Sequence, residues 1–225
     1  MNAASFEDAR RNMVDNQIRC AKILDPDTLD LIESMPREEF VPEQVRSIAY
    51  MEGRLPLPCG QEMLSPLQEA HILQALALRG HERVLEIGTG TGFLTAMLAM
   101  RAREVVSCEI HDELASMAEK NLAEHGINNA RVVRLNAMDA EAVAAEPALK
   151  GGFDAMVLGV ALKEIPAHLL QLLNADAQVV AFIGENPVVT IEHIIRKGMS
   201  EQHIRLAETL LKSAEGLPKK REFVF

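Results

Sequence analysis

Short apolar runs alternate with amphipathic segments through the middle and later parts of the chain. The apolar runs predict five strands, at Val84–Ile87, Glu104–Ile110, Arg131–Leu135, Phe153–Leu158 and Gln178–Ile183. The amphipathic segments predict helices at Phe93–Arg101, Asp112–His125 and Pro166–Leu173. Strands and helices that alternate in this rhythm are typical of a parallel sheet with helices on both faces, so we predict a doubly wound α/β domain.

A helical extension precedes this domain. Two helices are predicted between residues 5 and 35, and the second starts at Asp25-Pro26 because proline suits a first helical turn. Residues 36–66 contain five prolines and two glycines, which indicates an ordered but irregular stretch wrapped on the domain, and a helix over Pro66–Leu78 follows. We therefore expect residues 1–66 and residues 67–225 to form one compact unit.

Two segments near the end of the chain alternate apolar and polar residues. They are Thr190–Ile195 and Arg221–Phe225. This period is typical of half-buried strands, so we predict antiparallel strands at one edge of the sheet.

Composition and charge exclude several classes of function. The 225 residues carry a formal net charge of −10, and the one basic cluster, Lys219–Arg221, indicates a solvated turn, so no nucleic-acid partner is expected. No leader-like or membrane-length apolar run is present, so no membrane partner is expected either. Three widely spaced cysteines and seven unpaired histidines predict neither a disulfide framework nor a metal site. We expect a reducing, cytoplasmic compartment.

A glycine loop is the central chemical signal. The first predicted strand runs into Gly88, Gly90 and Gly92 at alternate positions, and a predicted helix starts at Phe93. Glycine allows sharp turns and close approach of a ligand to the backbone, and a helix N-terminus offers free N–H groups. Candidate ligand contacts in this loop are Glu86, Ile87, Gly88, Thr89, Gly90 and Gly92.

A carboxylate stands in the right place to accompany this loop. Glu109 ends the next predicted strand, 17 residues after Gly92, with Ile110 beside it. An acid at this position can accept hydrogen bonds from ribose hydroxyls, so the pair predicts an adenosine-type cofactor.

The loop spacing distinguishes between adenosine cofactors. Dinucleotides usually meet G-x-G-x-x-G, whereas this loop is G-x-G-x-G preceded by Glu86. A carboxylate there would oppose a pyrophosphate but can help to hold the cationic amino group of a methionine moiety. The pattern resembles the first motif of S-adenosylmethionine-dependent methyltransferases, and a nicotinamide-dependent oxidoreductase is the second hypothesis.

Longer stretches resemble protein-L-isoaspartate O-methyltransferases. The resemblance covers roughly residues 9–185 and is carried by Met13–Arg19, Met35–Pro42, Ala49-Tyr50, Arg83–Gly92, Phe153–Ala155, Gly159–Ala161 and Ile165-Pro166. It implies a Rossmann-like methyltransferase sheet with an N-terminal helical extension. It also implies S-adenosyl-L-methionine as cofactor, and methyl transfer to the side-chain carboxylate of isoaspartate in a damaged protein or peptide, a protein repair reaction.

The segment that resembles the family's catalytic loop departs from the family pattern. The family pattern is G-Q-T-I-S-x-P, and Glu62 and Leu64 stand here at the Thr and Ser positions. Ser65 lies one residue later, so Ser65 and Gln61 become the catalytic candidates, although Ser65 followed by Pro66 also fits a helix N-cap. We predict that Leu55–Pro66 forms one wall of the acceptor site.

Two further departures lie near the expected cofactor. Asn136, Ala137 and Met138 stand where the family has G-D-G, with Asp139 next to them, and Val160–Lys163 replaces A-A-A-P beside Gly159. Asn136, Ala137, Met138 and Gly159 are therefore candidate cofactor contacts. The same changes are compatible with a methyltransferase that uses a different acceptor, and with a non-catalytic cofactor-binding module.

Overall fold

A computed structural model describes residues 3–198 and 200–217. Within these residues the main sheet has seven strands in the order β5-β4-β3-β6-β7-β8-β9. The strands are β3 (Arg83–Ile87), β4 (Glu104–Glu109), β5 (Ala130–Arg134), β6 (Phe153–Leu162), β7 (Leu173–Glu185), β8 (Val188–Lys197) and β9 (Ser200–Thr209). Strands β3 to β7 pair in parallel, and β8 and β9 add an antiparallel edge. The predicted doubly wound α/β fold is confirmed.

Alternate residues of the central strands are buried on opposite faces of the sheet. Val84 and Val105 belong to one hydrophobic cluster, while their neighbours Leu85 and Val106 belong to the other. A strand that is covered on both faces needs apolar residues at successive positions. This explains the continuous apolar runs in the sequence.

Helices cover both faces. The helices α3 (Pro66–Leu76), α4 (Phe93–Ala99) and α5 (Asp112–Glu124) contribute to the first cluster, and α6 (Ala140–Ala145) and α7 (Ala167–Leu170) contribute to the second. None of the helices described for residues 3–198 and 200–217 is long and apolar enough to cross a membrane.

The N-terminal extension packs on the first face. It consists of α1 (Ala3–Met13), a π-helical turn (Val14–Ile18) and α2 (Pro26–Ser34), which Asp25 caps by accepting from the Thr28 N–H at 2.9 Å. Its buried residues share one hydrophobic cluster with the sheet. Short 3₁₀ turns at Arg37–Glu39 and Glu43–Ile48 and a hairpin of β1 (Leu55–Pro56) and β2 (Glu62–Met63) follow.

Several predicted boundaries are wrong. The helix expected over Pro166–Leu173 has only four residues because Leu173 already pairs with Phe153 in the sheet. The α6 helix was missed because it is short, and β9 was missed because most of its side chains are polar and exposed at the sheet edge. The predictions for Lys219–Arg221 and Arg221–Phe225 lie outside the described residues.

Candidate active site

A cleft opens at the carboxyl ends of the parallel strands. The space between its walls, with the open solvent at its mouth included, is about 770 Å³. Gly88 and Gly90 after β3, Glu109 at the end of β4 and Gly159 in β6 contribute to its wall. This is the edge of an open α/β sheet at which ligands bind.

The three glycines of the loop differ in what they face. Gly88 and Gly90, with φ of 95° and 57°, line the cleft. Gly92 does not line the cleft; a Cβ atom there would lie 3.2 Å from the Cα and Cβ of Ala118 in α5. Glycine at this position lets the loop approach α5, and contact between Gly92 and the cofactor stays a prediction that its position does not support.

A second close approach brings the end of β3 against β6. A Cβ atom on Gly159 would lie 3.3 Å from the Ile87 carbonyl oxygen, and one on Gly88 would lie 3.4 Å from Val160 Cγ1. Gly159 therefore lets β6 pass close behind the loop. Ile87 and Gly159 both line the cleft.

Glu109 faces the cleft and is held by backbone donors. Its Oε2 accepts from the Gly90 N–H at 2.9 Å, and its Oε1 accepts from the N–H groups of Ile110 and His111, both at 3.0 Å. A carboxylate offers about four lone-pair sites. Three are in use, which leaves one for a ligand hydroxyl and a second if the Gly90 N–H turns to the ligand.

Glu86 lies behind the loop and not in the cleft. It is fully buried and does not line the cleft, and its Oε2 accepts from the Thr95 hydroxyl while Oε1 has no partner. Burial raises its pKa to about 7. The prediction that the Glu86 side chain contacts the cofactor is thus not supported by its position, because its carboxylate stabilises the first turn of α4.

Thr89 is also withdrawn from the cleft. Its hydroxyl lies 2.6 Å from the Ser107 hydroxyl in a buried pair, and Thr89 does not line the cleft. The sequence prediction that Thr89 contacts the cofactor therefore applies at most to its backbone.

The wall of the cleft that follows Glu109 contains apolar residues. Ile110 is 42% exposed and lines the cleft together with Ala137 and Met138. Asn136 also lines the cleft, but its side chain shapes the loop: Oδ1 accepts from the Met138 N–H at 3.0 Å and Nδ2 donates to the Gly216 carbonyl at 3.1 Å. Asp139 caps α6 and does not line the cleft.

The segment Leu55–Pro66 covers one side of the cleft. Leu57, Gln61 and Glu62 line it, and the Glu62 carboxylate pairs with Arg54. Gln61 reaches the opposite side, where its Nε2 donates to Glu215 at 2.7 Å. Arg37, which is buried, donates to the Leu64 carbonyl and anchors this segment from inside.

Ser65 is the N-cap of α3. It is 5% exposed, its hydroxyl accepts from the Gln68 N–H at 3.3 Å, and Gln68 reciprocates with its side chain to the Ser65 N–H at 2.8 Å. Ser65 does not line the cleft. The structure thus places Ser65 in the cap that the sequence also allowed, away from the candidate site of catalysis.

Sequence reasoning missed the segment that closes the mouth of the cleft. Leu211–Glu215 lines the cleft opposite Gln61, and Lys212 Nζ donates to the Gly60 carbonyl and to Glu215, both at 3.0 Å. No periodicity or motif marks this segment, so the sequence carried no signal for it. None of the described residues forms a His, Cys, Asp and Glu cluster that could hold a metal ion.

A protein family, curated proteins and solved structures are similar to this chain. The family described as protein-L-isoaspartate(D-aspartate) O-methyltransferase matches residues 8–210. A protein-L-isoaspartate O-methyltransferase 2 of an Anaeromyxobacter species is 37% identical over 88% of this chain and 80% of its own length, and a protein-L-isoaspartate O-methyltransferase of Methanoculleus marisnigri is 33% identical over 88% and 87%. A Plasmodium falciparum structure described as a beta-aspartate methyltransferase in complex with S-adenosyl-L-homocysteine has a TM-score of 0.77 at 21% identity, over 91% of this chain and 97% of that one.

Proposed function

Because the chain belongs to the protein-L-isoaspartate(D-aspartate) O-methyltransferase family, we propose that it transfers a methyl group from S-adenosylmethionine to the side-chain carboxylate of isoaspartate in a damaged protein or peptide. The observation that carries this proposal is the match over residues 8–210, which includes both the glycine loop and the segment that covers the cleft. The cleft fits that chemistry.

The residues present suit S-adenosylmethionine. Glu109 has an acceptor site left for a ribose hydroxyl, Gly88 and Gly90 expose backbone beside it, and Ile110 offers an apolar surface for an adenine ring. When bound, this cofactor supplies a methyl group on a cationic sulfonium, an electrophile that a carboxylate can attack directly. The protein need not supply a strong base, because a carboxylate is already ionised at neutral pH.

The protein then has to hold the acceptor carboxylate in line with the bond between the methyl group and the sulfonium sulfur. Proximity and orientation supply much of the acceleration in such transfers. Gln61 and the neighbouring Lys212 carry donors into the cleft, whereas Leu64 and Ser65 contribute no hydroxyl to its wall. We therefore assign the positioning of the acceptor to Gln61 and to donors of the mouth instead of Ser65.

The charges of the cleft disfavour a dinucleotide. Glu62, Glu109 and Glu215 line it, and Lys212 is the one lysine or arginine among the described residues that do so. A pyrophosphate would meet net negative charge, which is unfavourable at short range.

Two measurements test the proposal in order. Calorimetry with S-adenosylhomocysteine and with NAD should show binding of the first and none of the second. A methyl-transfer assay should then show methyl ester formation on a peptide with one isoaspartyl residue and none on the same peptide with aspartate. Binding of NAD alone would overturn the methyltransferase assignment. Cofactor binding without methylation of the isoaspartyl peptide would overturn the acceptor and favour another methyl acceptor.

A further inference from the structure

A carboxylate of the chain itself lies in a cluster of donors at the mouth of the cleft. Glu215 Oε1 accepts from Gln61 Nε2 at 2.7 Å and from Lys212 Nζ at 3.0 Å, and Glu215 Oε2 lies 3.3 Å from His111 Nε2. The hydrogen bonds from Lys212 and Gln61 hold the pKa of Glu215 below its ordinary value, so it is anionic at neutral pH.

The three groups around Glu215 come from separate parts of the chain, and two of them also meet each other, with Gln61 Nε2 3.1 Å from His111 Nε2. Gln61 lies on the segment that covers the cleft, His111 follows Glu109 at the start of α5, and Lys212 lies on the segment after β9. All three line the same cleft as Gly88 and Gly90. Residues so distant in sequence converge on one carboxylate, and the acceptor of the proposed reaction is also a carboxylate.

We propose that the donors of Gln61 and Lys212 bind the acceptor carboxylate beside His111, and that Glu215 occupies this site until a substrate displaces it. This inference rests on the proposed function and deepens it. It also accounts for a family member without cleft-lining hydroxyls at Leu64 and Ser65, because the mouth supplies other donors to an anion.

The displacement is physically inexpensive. Side chains of Glu215 and Lys212 are 41% and 42% exposed, so water replaces their lost contacts when Glu215 swings out. Exposed ion pairs contribute little net free energy, since solvent and salt screen them. A substrate carboxylate held by the rest of its peptide can therefore compete with Glu215 for the same donors.

Variants that replace a charged side chain by a neutral amide test the two halves of the proposal, because they should change KM in opposite directions. Glu215→Gln removes the competing anion and should lower KM for the isoaspartyl peptide about two- to fivefold, whereas Lys212→Gln removes the positive charge that faces the acceptor and should raise KM about three- to tenfold. The affinity of both variants for S-adenosylhomocysteine should stay close to that of the parent protein.

Matched controls lie on the outer part of α5. Lys120 and Glu124 form an exposed i,i+4 pair that does not line the cleft, so Lys120→Gln and Glu124→Gln make the same charge changes there. Both should leave KM for the peptide unchanged. These controls separate a local effect at the donors from a general effect of net charge on an acidic protein.

The outcomes separate this inference from the function on which it rests. The inference alone is overturned if the parent protein is active but Glu215→Gln does not lower KM or Lys212→Gln does not raise it. Glu215 and Lys212 then form an ordinary surface ion pair. A parent protein that binds S-adenosylhomocysteine but makes no methyl ester overturns the proposed acceptor and this inference with it.

Discussion

Single residues of the glycine motif serve two different ends. Gly88 and Gly90 open the cleft to a ligand, while Gly92 makes room for Ala118 of α5. The structure places this loop at the cleft, and its contact with a ligand stays a prediction. The sequence pattern could not separate the two purposes, because the Gly92 neighbour lies 26 positions away in sequence. Glu86 shows the same limit: an acid beside the loop can be aimed at the cleft or buried behind it.

Glu109 offers the sharpest residue-scale test of cofactor binding. Glu109→Gln should weaken binding of S-adenosylhomocysteine by about 1–3 kcal/mol, because an amide offers fewer acceptor sites to ribose hydroxyls and to the backbone N–H groups. Calorimetry measures the change. Glu104→Gln, on the same strand but paired with Arg83 at the other end, is the control. Equal affinity in both folded variants would contradict the assignment.

Ser65 tests the helix cap. Ser65→Ala should lower the free energy of unfolding by about 1 kcal/mol, since it removes the acceptor for the Gln68 N–H. Urea denaturation measures that loss. Methyl transfer per folded molecule should change little, because Ser65 does not line the cleft. A variant of parental stability with much slower methyl transfer would instead restore the catalytic hypothesis for Ser65.

Glu86 links stability to pH. Its folded pKa of about 7 exceeds the ordinary 4.5 because of burial, so the folded chain keeps a proton that the unfolded chain has lost between these values. Stability therefore falls as pH rises from about 4.5 to 7, and the contribution of Glu86 is lost above that. Glu86→Gln should remove this dependence. The difference in free energy of unfolding, variant minus parent, should therefore rise by on the order of 2 kcal/mol from pH 5 to pH 8.

Urea denaturation of the parent and the Glu86→Gln variant at both pH values makes the comparison. The Glu86 charge also raises the pKa of Glu69 and of Cys108, so the difference between the two proteins reports Glu86 together with its effect on these neighbours. Glu141→Gln, at an exposed position on α6, is the control. Parallel pH profiles for the parent and Glu86→Gln would show that the Glu86 carboxyl stays ionised in the folded chain.

At the scale of elements, the sequence predicted buried strands better than exposed ones. The strands β3 and β4 are covered on both faces, and their apolar runs were visible in the sequence. The edge strand β9 exposes most of its side chains and left no such run. The length of β7 could not be predicted because its first residues, Leu173–Asp176, are largely exposed, and of these only Leu173 pairs with β6, ahead of a register shift.

A buried ion pair connects the N-terminal extension to α3. Arg37 is 1% exposed, pairs with Glu69, donates to the Ala49 carbonyl at 2.9 Å and lies 5.0 Å above the Phe93 ring. Burial raises the pKa of Glu69, and the Arg37 guanidinium opposes that rise. This pair gives a physical reason for an arginine in the Met35–Pro42 segment that carries the family resemblance.

Breaking the Arg37 pair should be costly. Arg37→Met should lower the free energy of unfolding by about 3–5 kcal/mol, because it leaves a buried carboxyl and two carbonyls without their donor. The double variant Arg37→Met with Glu69→Leu should recover part of that loss in urea denaturation. Arg11→Met, at an exposed pair with Glu33, is the control and should cost little. A loss below about 1 kcal/mol for Arg37→Met would contradict this account.

At the scale of the whole molecule, the sequence predicted the fold class and brought the glycine loop and Glu109 to one sheet edge, but it did not predict the mouth of the cleft. The glycine loop and Glu109 are separated by one helix, and their meeting follows from parallel strands. Gln61 and Glu215 are 154 positions apart, and nothing local to either residue encodes their contact. The return of the chain to the cleft after β9 depends on tertiary packing alone.

The extension and the sheet domain should unfold together. They share one hydrophobic cluster, and Gln74 of α3 accepts from the N–H groups of Leu24 and Asp25 at 2.8 and 3.1 Å. The chain has one tyrosine and no tryptophan, so Tyr50 fluorescence reports on the extension while far-ultraviolet circular dichroism reports mainly on the rest. Both signals should give one midpoint, and S-adenosylhomocysteine at about 100 times its Kd should stabilise both by about 2.7 kcal/mol. A lower midpoint for Tyr50 would separate the two parts.

The contact between Gln61 and Glu215 also has a consequence in time. A ribosome delivers residues from the N-terminus onward, so one side of the cleft exists long before the segment that faces it. Gly159, which lines the same cleft as the glycine loop and Glu109, is made after them, and Glu215 is made later still. A growing chain therefore completes the strand-end side of its cleft first and the mouth last.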